Sequence, residues 1–241
     1  SFGVARVAVY RRLRIGLLSS GNELREPGES LAPGQIYNSN RYCLLSVLRS
    51  LGMEVHDYEI LVDELAASRD ALALAASEWD MLITSGGVSV GEEDHLKQAI
   101  RELGELHMWR LAIQPGKPLA FGEVNGKPWI GLPGNPAAAL ITSLVVARPF
   151  LLSAQGCTEV LPKPLRLTAG FAWRKPNNRR QYLRARLEQV DGEMRVCLHP
   201  RQGSAMLTSA SWAEGLAIVE RNRTLEEGET VEYLPFSELL G

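Results

Sequence analysis

The sequence predicts an α/β protein, in which a three-layer domain with a mostly parallel sheet is followed by a small all-β, barrel-like domain. Two observations predict this fold class. Before residue 154, short apolar runs alternate with helical patterns, as in a parallel sheet that helices cover on both faces. After residue 155, short alternating runs follow one another with turn signals between them. We therefore expect one domain over residues 1–154 and a second over residues 155–241.

The elements of the first domain follow from the spacing of its apolar residues. Short apolar runs predict strands at RIGLLSS, EVHDYEIL, DMLITSGG, HMWRLAI, PLAFGEV and WIGLP. Spacings of three and four residues predict helices at NRYCLLSVLRSLG, DELAASRDALALAASEW, DHLKQAIRELG and PAAALITSLVVARPFLL. Val4, Val7 and Val9 also indicate a strand. Because the chain begins with Ser almost inside that strand, we interpret it as a fragment or a processed protein.

The second domain has the pattern of a small β structure. Alternating runs predict strands at LRLTAGFAW, QYLRARLEQV, EMRVCLH, LAIVER and ETVEYL. The stretches DGE, RNR and EEGE between them are turn signals. Strands this short and this evenly spaced are typical of a barrel or sandwich.

The composition argues against several kinds of partner. A formal net charge of -2 over 241 residues gives no global argument for nucleic acid or an anionic membrane surface. The sequence has no signal-peptide pattern and no unbroken apolar run of about 18 residues, so we expect no membrane partner and a cytoplasmic location. The three cysteines are odd in number and far apart, which predicts neither a disulfide framework nor a zinc site.

The loops that follow the predicted parallel strands are where we expect a ligand, because open parallel sheets bind ligands beyond the carboxyl ends of their strands. Polar, glycine or proline residues mark five such loops. Their candidate residues are, in chain order, Glu23, Asp63, Asp94, Lys117, Pro133, Asn135 and Pro136.

The stretch ITSGGVSVGEEDHLK, residues 83–97, has the character of a phosphate-binding loop. Gly86 and Gly87 allow backbone N–H groups to approach a ligand closely, and Ser89 adds a hydroxyl. The positive end of a helix that begins near Asp94 also favours an anion. A phosphate is therefore the predicted guest of this loop.

The acids at 92–94 leave two interpretations open. Residue 92 is Glu where a P-loop needs Lys, so Lys117 is the candidate for the balancing charge. The acids either favour the start of the helix or turn inward to hold a divalent metal or a water.

Two further features have a plain interpretation that we prefer. His95 and His107 lack a His or Cys companion at ligand spacing, so we expect surface positions for them. The basic stretch 173–186 interleaves aromatic residues, as nucleic-acid sites do, but its alternation favours a solvated strand face or a protected edge.

Five motifs together resemble one family. SSGNEL, GQIYNSNRY, SGGVSVGEEDHLK, PGKPLAFG and GLPGNPAAA occur here in the order found in the molybdopterin molybdenumtransferases, represented by the bacterial MoeA proteins and the gephyrin E domain. The resemblance covers nearly the whole chain, including RQGSAMLTS in the β-rich part. It implies the molybdopterin-binding fold for the first domain and a β-barrel for the second.

The resemblance also implies an activity. Such enzymes bind adenylylated molybdopterin and molybdate, insert the metal and release AMP, with Mg²⁺ assisting. It implies catalytic and metal-binding roles for Glu23, Asp63 and Asp94. It implies binding roles for Arg110, Lys117, Pro133, Pro136, Arg184 and Ser204, beside the loop residues Gly86, Gly87, Ser89 and Asn135. A homodimer and a molybdopterin adenylyltransferase partner are expected by the same resemblance.

Some features depart from the family pattern. Asn22 stands where Asp is common, and Gln114 stands where some relatives place Lys, so a cation of the anion pocket is expected to be absent. Two N-terminal domains of the family have no counterpart in this sequence. Two alternative functions stay open. One is a non-catalytic scaffold that binds a partner peptide through its C-terminal region; the other is a molybdopterin adenylyltransferase, whose fold is similar to residues 11–154.

Overall fold

The computed structural model describes residues 3–87 and 95–240. Its first sheet has six strands: β1 (Arg14–Ser20), β4 (Glu54–Leu61), β5 (Met81–Ser85), β6 (Gly104–Arg110), β8 (Pro118–Val124) and β9 (Lys127–Leu132). Their order across the sheet is β4-β1-β5-β9-β8-β6. The first four strands of that order are parallel, and β8 is antiparallel to both of its neighbours. The predicted mostly parallel sheet is confirmed.

Helices cover both faces of this sheet. They are α1 (Ser39–Ser50), α2 (Leu65–Glu78), α3 (His95–Leu103), α4 (Pro136–Thr142) and α5 (Arg148–Ala154), with a π-helical segment, Ser143–Ala147, joining the last two. Two short strands, β2 (Leu24–Arg25) and β3 (Ile36–Tyr37), pair with each other in the loop after β1.

Alternation along β1 shows how the three layers form. Leu17 packs into the core cluster with α1, α4 and α5, whereas Leu18 packs into the cluster with α2 and α3. Successive side chains of a strand point to opposite faces, so one short apolar run supplies both cores. Leu17 and Leu18 are both 0% exposed, and each buried Leu contributes about 1.5–3 kcal/mol of transfer free energy.

The second part of the chain is a closed barrel of five strands. They are β10 (Leu165–Ala169), β11 (Arg180–Val190), β12 (Glu193–Leu198), β13 (Gly215–Val219) and β14 (Thr230–Pro235). The ring runs β12-β10-β14-β13-β11 and closes because β11 also pairs with β12. Closure leaves no long free sheet edge. The predicted barrel-like fold is confirmed.

Additional short elements join the two parts. The two-residue strand β7 (Ile113–Gln114) pairs with the start of β11. The helices α6 (Leu207–Trp212) and α7 (Phe236–Leu240) belong to the barrel region. Barrel side chains such as Leu216 and Leu234 lie in the same core cluster as α4 and α5, so the two parts share buried apolar surface.

The structure corrects the expectation of an N-terminal strand. Residues 4–9 form no strand, and Val4, Val7 and Val9 are 63%, 73% and 82% exposed, because no neighbouring strand pairs with this segment.

The continuous helix Pro136–Ala154 is, by length and composition, long and apolar enough to cross a membrane. Of its most apolar window, 61% is buried inside the protein, as in a core helix.

Candidate functional site

A polar cavity of about 800 Å³ lies at the predicted edge of the sheet. The loops after β1, β4, β5 and β9 line it, together with the loop before β8 and the barrel loop around residues 202–204. The parallel strands end at this edge, and β8, which runs the opposite way, begins there. Sheet direction therefore brings loops that are distant in sequence into one site.

Gly86 is required by the close approach of three loops. Its φ is +88°, and a Cβ there would collide with the carbonyl oxygen of Ser20. Its N–H donates to the carbonyl of Leu132 at 3.2 Å, so this N–H serves the fold rather than a ligand. Gly87 also has a positive φ, of +65°. The glycine pair thus acts first by allowing close packing at the cavity wall.

Asn40, at the start of α1, joins two of these loops by hydrogen bonds. Its Nδ2 donates to Ser85 Oγ at 2.8 Å and to the Gly134 carbonyl at 2.7 Å. The residue is only 8% exposed and lines the cavity. Asn40 lies in the motif GQIYNSNRY but was not among the predicted site residues. Its burial, which the sequence does not report, is what shows its role.

Two predicted acids, Glu23 and Asp63, line the cavity. Asp63 accepts a hydrogen bond from Asn22 Nδ2 at 3.2 Å through Oδ2. Its carbonyl oxygen lies 2.9 Å from His95 Nδ1, and its Oδ1 lies 3.2 Å from the same atom. His95, expected only on a surface, thus contacts a site residue, although it remains partly exposed.

The cations of the cavity come from two parts of the chain. Lys117 lies in the loop before β8, exposed, and makes no side-chain hydrogen bond or ion pair with the residues that the structure describes. Arg179, which lies just before β11, also lines the cavity and contacts Gln114. Its stretch was predicted to be a solvated strand face or a protected edge, and Arg179 was not among the predicted site residues. Position 114 itself carries no cation, as the sequence shows, and Arg179 places one beside it.

Ser204 lines the cavity on the barrel side, and its carbonyl accepts the N–H of Ala137 at 2.9 Å. This contact joins the barrel loop to the first turn of the helix that begins at Pro136. Asn135, the N-cap residue of that helix, makes no side-chain capping bond, and its exposed side chain lines the cavity with Pro133.

Arg184 supports the barrel loop from the outer face of β11, where it is buried against α6. It is 1% exposed; its Nη2 donates to the Gly203 carbonyl at 3.0 Å and its Nε donates to Ser209 Oγ at 3.1 Å. Burial lowers the pKa of its guanidinium to about 10, which leaves it charged at neutral pH. Arg184 itself does not line the cavity. Gln202, which does, was not selected from the sequence, and it bonds the backbone of Arg184 in both directions.

Other predicted residues lie elsewhere or outside the described range. Arg110 is exposed at the end of β6, and Pro136 begins α4; neither lines the cavity. Ser89 and Asp94 lie outside the described residues. The binding and catalytic roles of all these residues stay predictions.

The charged residues of the cavity are arranged in the order of the strands. From the β4 side to the β8 side, the lining residues are Asp63, Glu23, the glycine pair, Asn135 and Lys117. Neighbouring strands are about 4.8 Å apart, so about 14 Å separates the ends of β1 and β8. The site therefore suits an elongated polar ligand with an anionic group at one end.

Mg²⁺ is the metal that the family resemblance implies for the acidic end of the cavity. Within residues 3–87 and 95–240, no cluster of three or more His, Cys, Asp or Glu side chains is arranged to hold a metal. Mg²⁺ is usually bound through one or two carboxylates together with substrate phosphates and water. The carboxylates of Glu23 and Asp63 in one polar cavity fit that donor set, whereas Asp94 lies outside the described residues.

The comparisons with known proteins agree with this architecture. Residues 16–153 match the family described as "Probable molybdopterin binding domain", and residues 166–236 match "MoeA C-terminal region (domain IV)". The chain is similar to a molybdopterin molybdenumtransferase of Haemophilus influenzae, at 37% identity over 244 residues, covering 100% of this chain and 60% of the relative. It is also similar to molybdopterin molybdenumtransferase 2 of Mycobacterium tuberculosis, at 37% identity, covering 80% of this chain and 49% of the relative.

A solved structure gives the same picture. The crystal structure of the molybdopterin biosynthesis moea protein from Pyrococcus horikosii matches with a TM-score of 0.75 and 31% identity. The match covers 94% of this chain and 55% of that chain. The present chain thus spans between about half and 60% of the length of these relatives.

Proposed function

We propose, from the premise that this chain belongs to the molybdopterin molybdenumtransferase (MoeA) family, that it binds adenylylated molybdopterin and inserts molybdate into it with release of AMP. The observation that carries the proposal is the order of charges along the cavity, from Asp63 and Glu23 to Lys117. A nucleotide-linked pterin phosphate is elongated and anionic, and it matches such a cavity in both length and polarity.

The residues of the cavity divide the work. Lys117 provides a fixed positive charge for a phosphate group, because no described side chain neutralises it. Gly86 and Asn40 hold the loops after β1, β5 and β9 in contact, which gives the cavity wall a defined shape. Asn135 presents at the start of α4 a side-chain amide that makes no capping hydrogen bond and has no partner in the described part of the chain. These groups bind and orient the ligand before any chemistry takes place.

Glu23 and Asp63 are the residues that would hold Mg²⁺. The ion would neutralise charge on phosphate oxygens, which favours release of AMP. Asn22 and His95 orient the Asp63 carboxylate, which has no Arg or Lys partner among residues 3–87 and 95–240. The acidic end is thereby kept available for positive or proton-bearing groups.

The test is molybdate-dependent release of AMP. The protein is incubated with adenylylated molybdopterin, molybdate and Mg²⁺, and AMP is followed over a single turnover. We expect release only when molybdate is present, and weaker pterin binding in Lys117→Ala by about 1–3 kcal/mol. Tight pterin binding without any molybdate-dependent release would contradict an insertase and favour a non-catalytic scaffold.

Assembly forms a second part of the proposal. We expect a homodimer, since Leu31, Ile36, Tyr37 and Tyr42 expose large apolar surface within one segment of the α/β part. A molybdopterin adenylyltransferase is the proposed supplier of the substrate. Light scattering over a wide concentration range checks the dimer, and a strict monomer throughout would contradict it.

A further inference from the structure

Arg179 is a charged side chain of the cavity that was not among the site residues predicted from the sequence. Its backbone N–H and its Nε lie 3.1 and 3.4 Å from Asn177 Oδ1, and its Nη2 lies 3.4 Å from Gln114 Oε1. All of these acceptors are neutral amide oxygens. Within the described part of the chain, no carboxylate forms an ion pair with Arg179, so its charge is uncompensated.

The adjacent Arg180 shows the opposite arrangement. Its Nε lies 2.9 Å from Glu220 and its Nη2 lies 3.4 Å from Glu232. Arg180 does not line the cavity, whereas Arg179 does. Two consecutive arginines therefore differ in both surroundings and charge balance, as expected where side chains alternate at the start of a strand.

The position of Arg179 is fixed by the junction between the two parts of the protein. Strand β7 pairs with β11, with Ile113 opposite Arg180. Asn177 Nδ2 also donates to Gln114 Oε1 at 2.5 Å. These bonds hold the segment before β11 against the loop that carries Lys117. The cavity consequently has one cation from the α/β part and one from the barrel part.

We infer that Arg179 is a second phosphate-binding residue, and that the anionic end of the ligand is held between the two parts of the protein by Lys117 and Arg179. The inference rests on the proposed function and adds to it a binding residue from the barrel. A guanidinium with only neutral neighbours retains its charge for a phosphate, and its planar fork suits phosphate oxygens. Gln114 supplies no charge itself and instead acts as an acceptor that orients Arg179.

The experiment compares Arg179→Gln with Arg180→Gln, because both variants lower the net charge by one. Binding of AMP and of inorganic pyrophosphate is measured by titration calorimetry, with thermal melting as a check on folding. We expect Arg179→Gln to weaken binding of at least one probe by about 10-fold or more. We expect Arg180→Gln to leave both affinities within about twofold, since its ion pairs lie outside the cavity.

A second measurement moves the positive charge from position 179 to position 114. Since Gln114 contacts Arg179, a lysine at position 114 in the Gln114→Lys/Arg179→Gln double variant returns a cation to the same wall of the cavity. We expect it to recover most of the lost affinity, and Arg179→Lys to lose less affinity than Arg179→Gln. Misfolding of one variant therefore leaves another that decides the question.

The outcomes separate this inference from the proposed function. If Lys117→Ala weakens binding of the probes and Arg179→Gln does not, the role of Arg179 is wrong while the anion site stands. If Arg179→Gln and Arg180→Gln weaken binding equally, the effect is general electrostatics and the inference is also wrong. If the unmodified protein binds neither AMP nor pyrophosphate, the proposed anion site fails, and the inference fails with it.

Discussion

The outer surface of the barrel and the cavity at the edge of the sheet differ in how their charged side chains are paired. On the barrel, basic side chains lie beside acidic ones: Arg186 is 2.7 Å from Glu188, and Arg180 is 2.9 Å from Glu220. Around the cavity, Lys117 and Arg179 have no ion-pair partner in the described residues. Surface pairs of the first kind contribute about 0–1 kcal/mol to stability. Charges left unpaired in a cavity are instead available to a ligand.

The architecture explains this difference. An open parallel sheet ends all of its parallel strands at one edge, so several loops meet there. A closed barrel has no such edge, and among the described residues it contributes to the site through the loop around residues 202–204 and through Arg179. The sheet therefore supplies most of the site, and the barrel closes one side of it.

The largest predicted effect comes from Asp63→Asn at the acidic end. We expect single-turnover AMP release to fall about 100-fold or more, because a carboxylate that acts on metal or water is removed. Binding of AMP should stay unchanged or become tighter, since a negative charge near a phosphate is lost. The control is Glu64→Gln, because Glu64 is the exposed neighbour that does not line the cavity. Equal losses of binding and turnover in Asp63→Asn would identify Asp63 as a loop anchor.

Two glycines with positive φ, one at the site and one in a barrel turn, differ in how closely other atoms pack against them. Gly86 at the site and Gly192 in a barrel turn have φ values of +88° and +82°. A Cβ at Gly86 would meet the Ser20 carbonyl, whereas a Cβ at Gly192 would meet no atom within 4 Å. We expect Gly86→Ala to lower the free energy of unfolding by about 3 kcal/mol and Gly192→Ala by about 1 kcal/mol. Urea unfolding measures both, and equal values would contradict the close packing at the site.

The smallest predicted effect concerns ion pairs away from the cavity. Hydrogen bonds from Arg11, together with those from Arg14, hold the pKa of Asp80 well below its usual range. Asp80→Asn should lower the unfolding free energy at pH 7 by about 1–2 kcal/mol, and Glu226→Gln, at an exposed barrel pair, by about 0.5 kcal/mol or less.

The pH dependence of the Asp80 effect has a defined sign. A carboxyl whose folded-state pKa is depressed stabilises the protein fully above its unfolded pKa of about 3.9. That stabilisation is lost as the pH falls through the lower folded-state pKa. The difference between Asp80→Asn and the unmodified protein should therefore be constant from pH 5 to pH 7 and shrink below about pH 4. A difference that grows on acidification would contradict the assignment.

The residues of the site that could be predicted are those whose position depends on local sequence patterns. Glu23, Asp63 and Lys117 follow or precede apolar runs whose strand character is local, so their place at one sheet edge followed from the pattern. Arg179, Asn40 and Gln202 were missed, because their place in the cavity depends on contacts with residues 65, 94 and 18 positions away. Pattern alone does not report such contacts. Arg184 was selected by resemblance, and its buried position became visible only in the folded barrel.

The sequence by itself determined the layers of this protein. Apolar alternation and helical spacing are local properties, and burial of those apolar faces is the dominant favourable term in folding. Tertiary structure alone decided which charged groups share the cavity, because strand order, barrel closure and the β7–β11 junction bring together loops from distant parts of the chain. It also decided which charges are satisfied: Arg180 meets two glutamates, whereas Arg179, one residue earlier, meets only neutral amides beside the site.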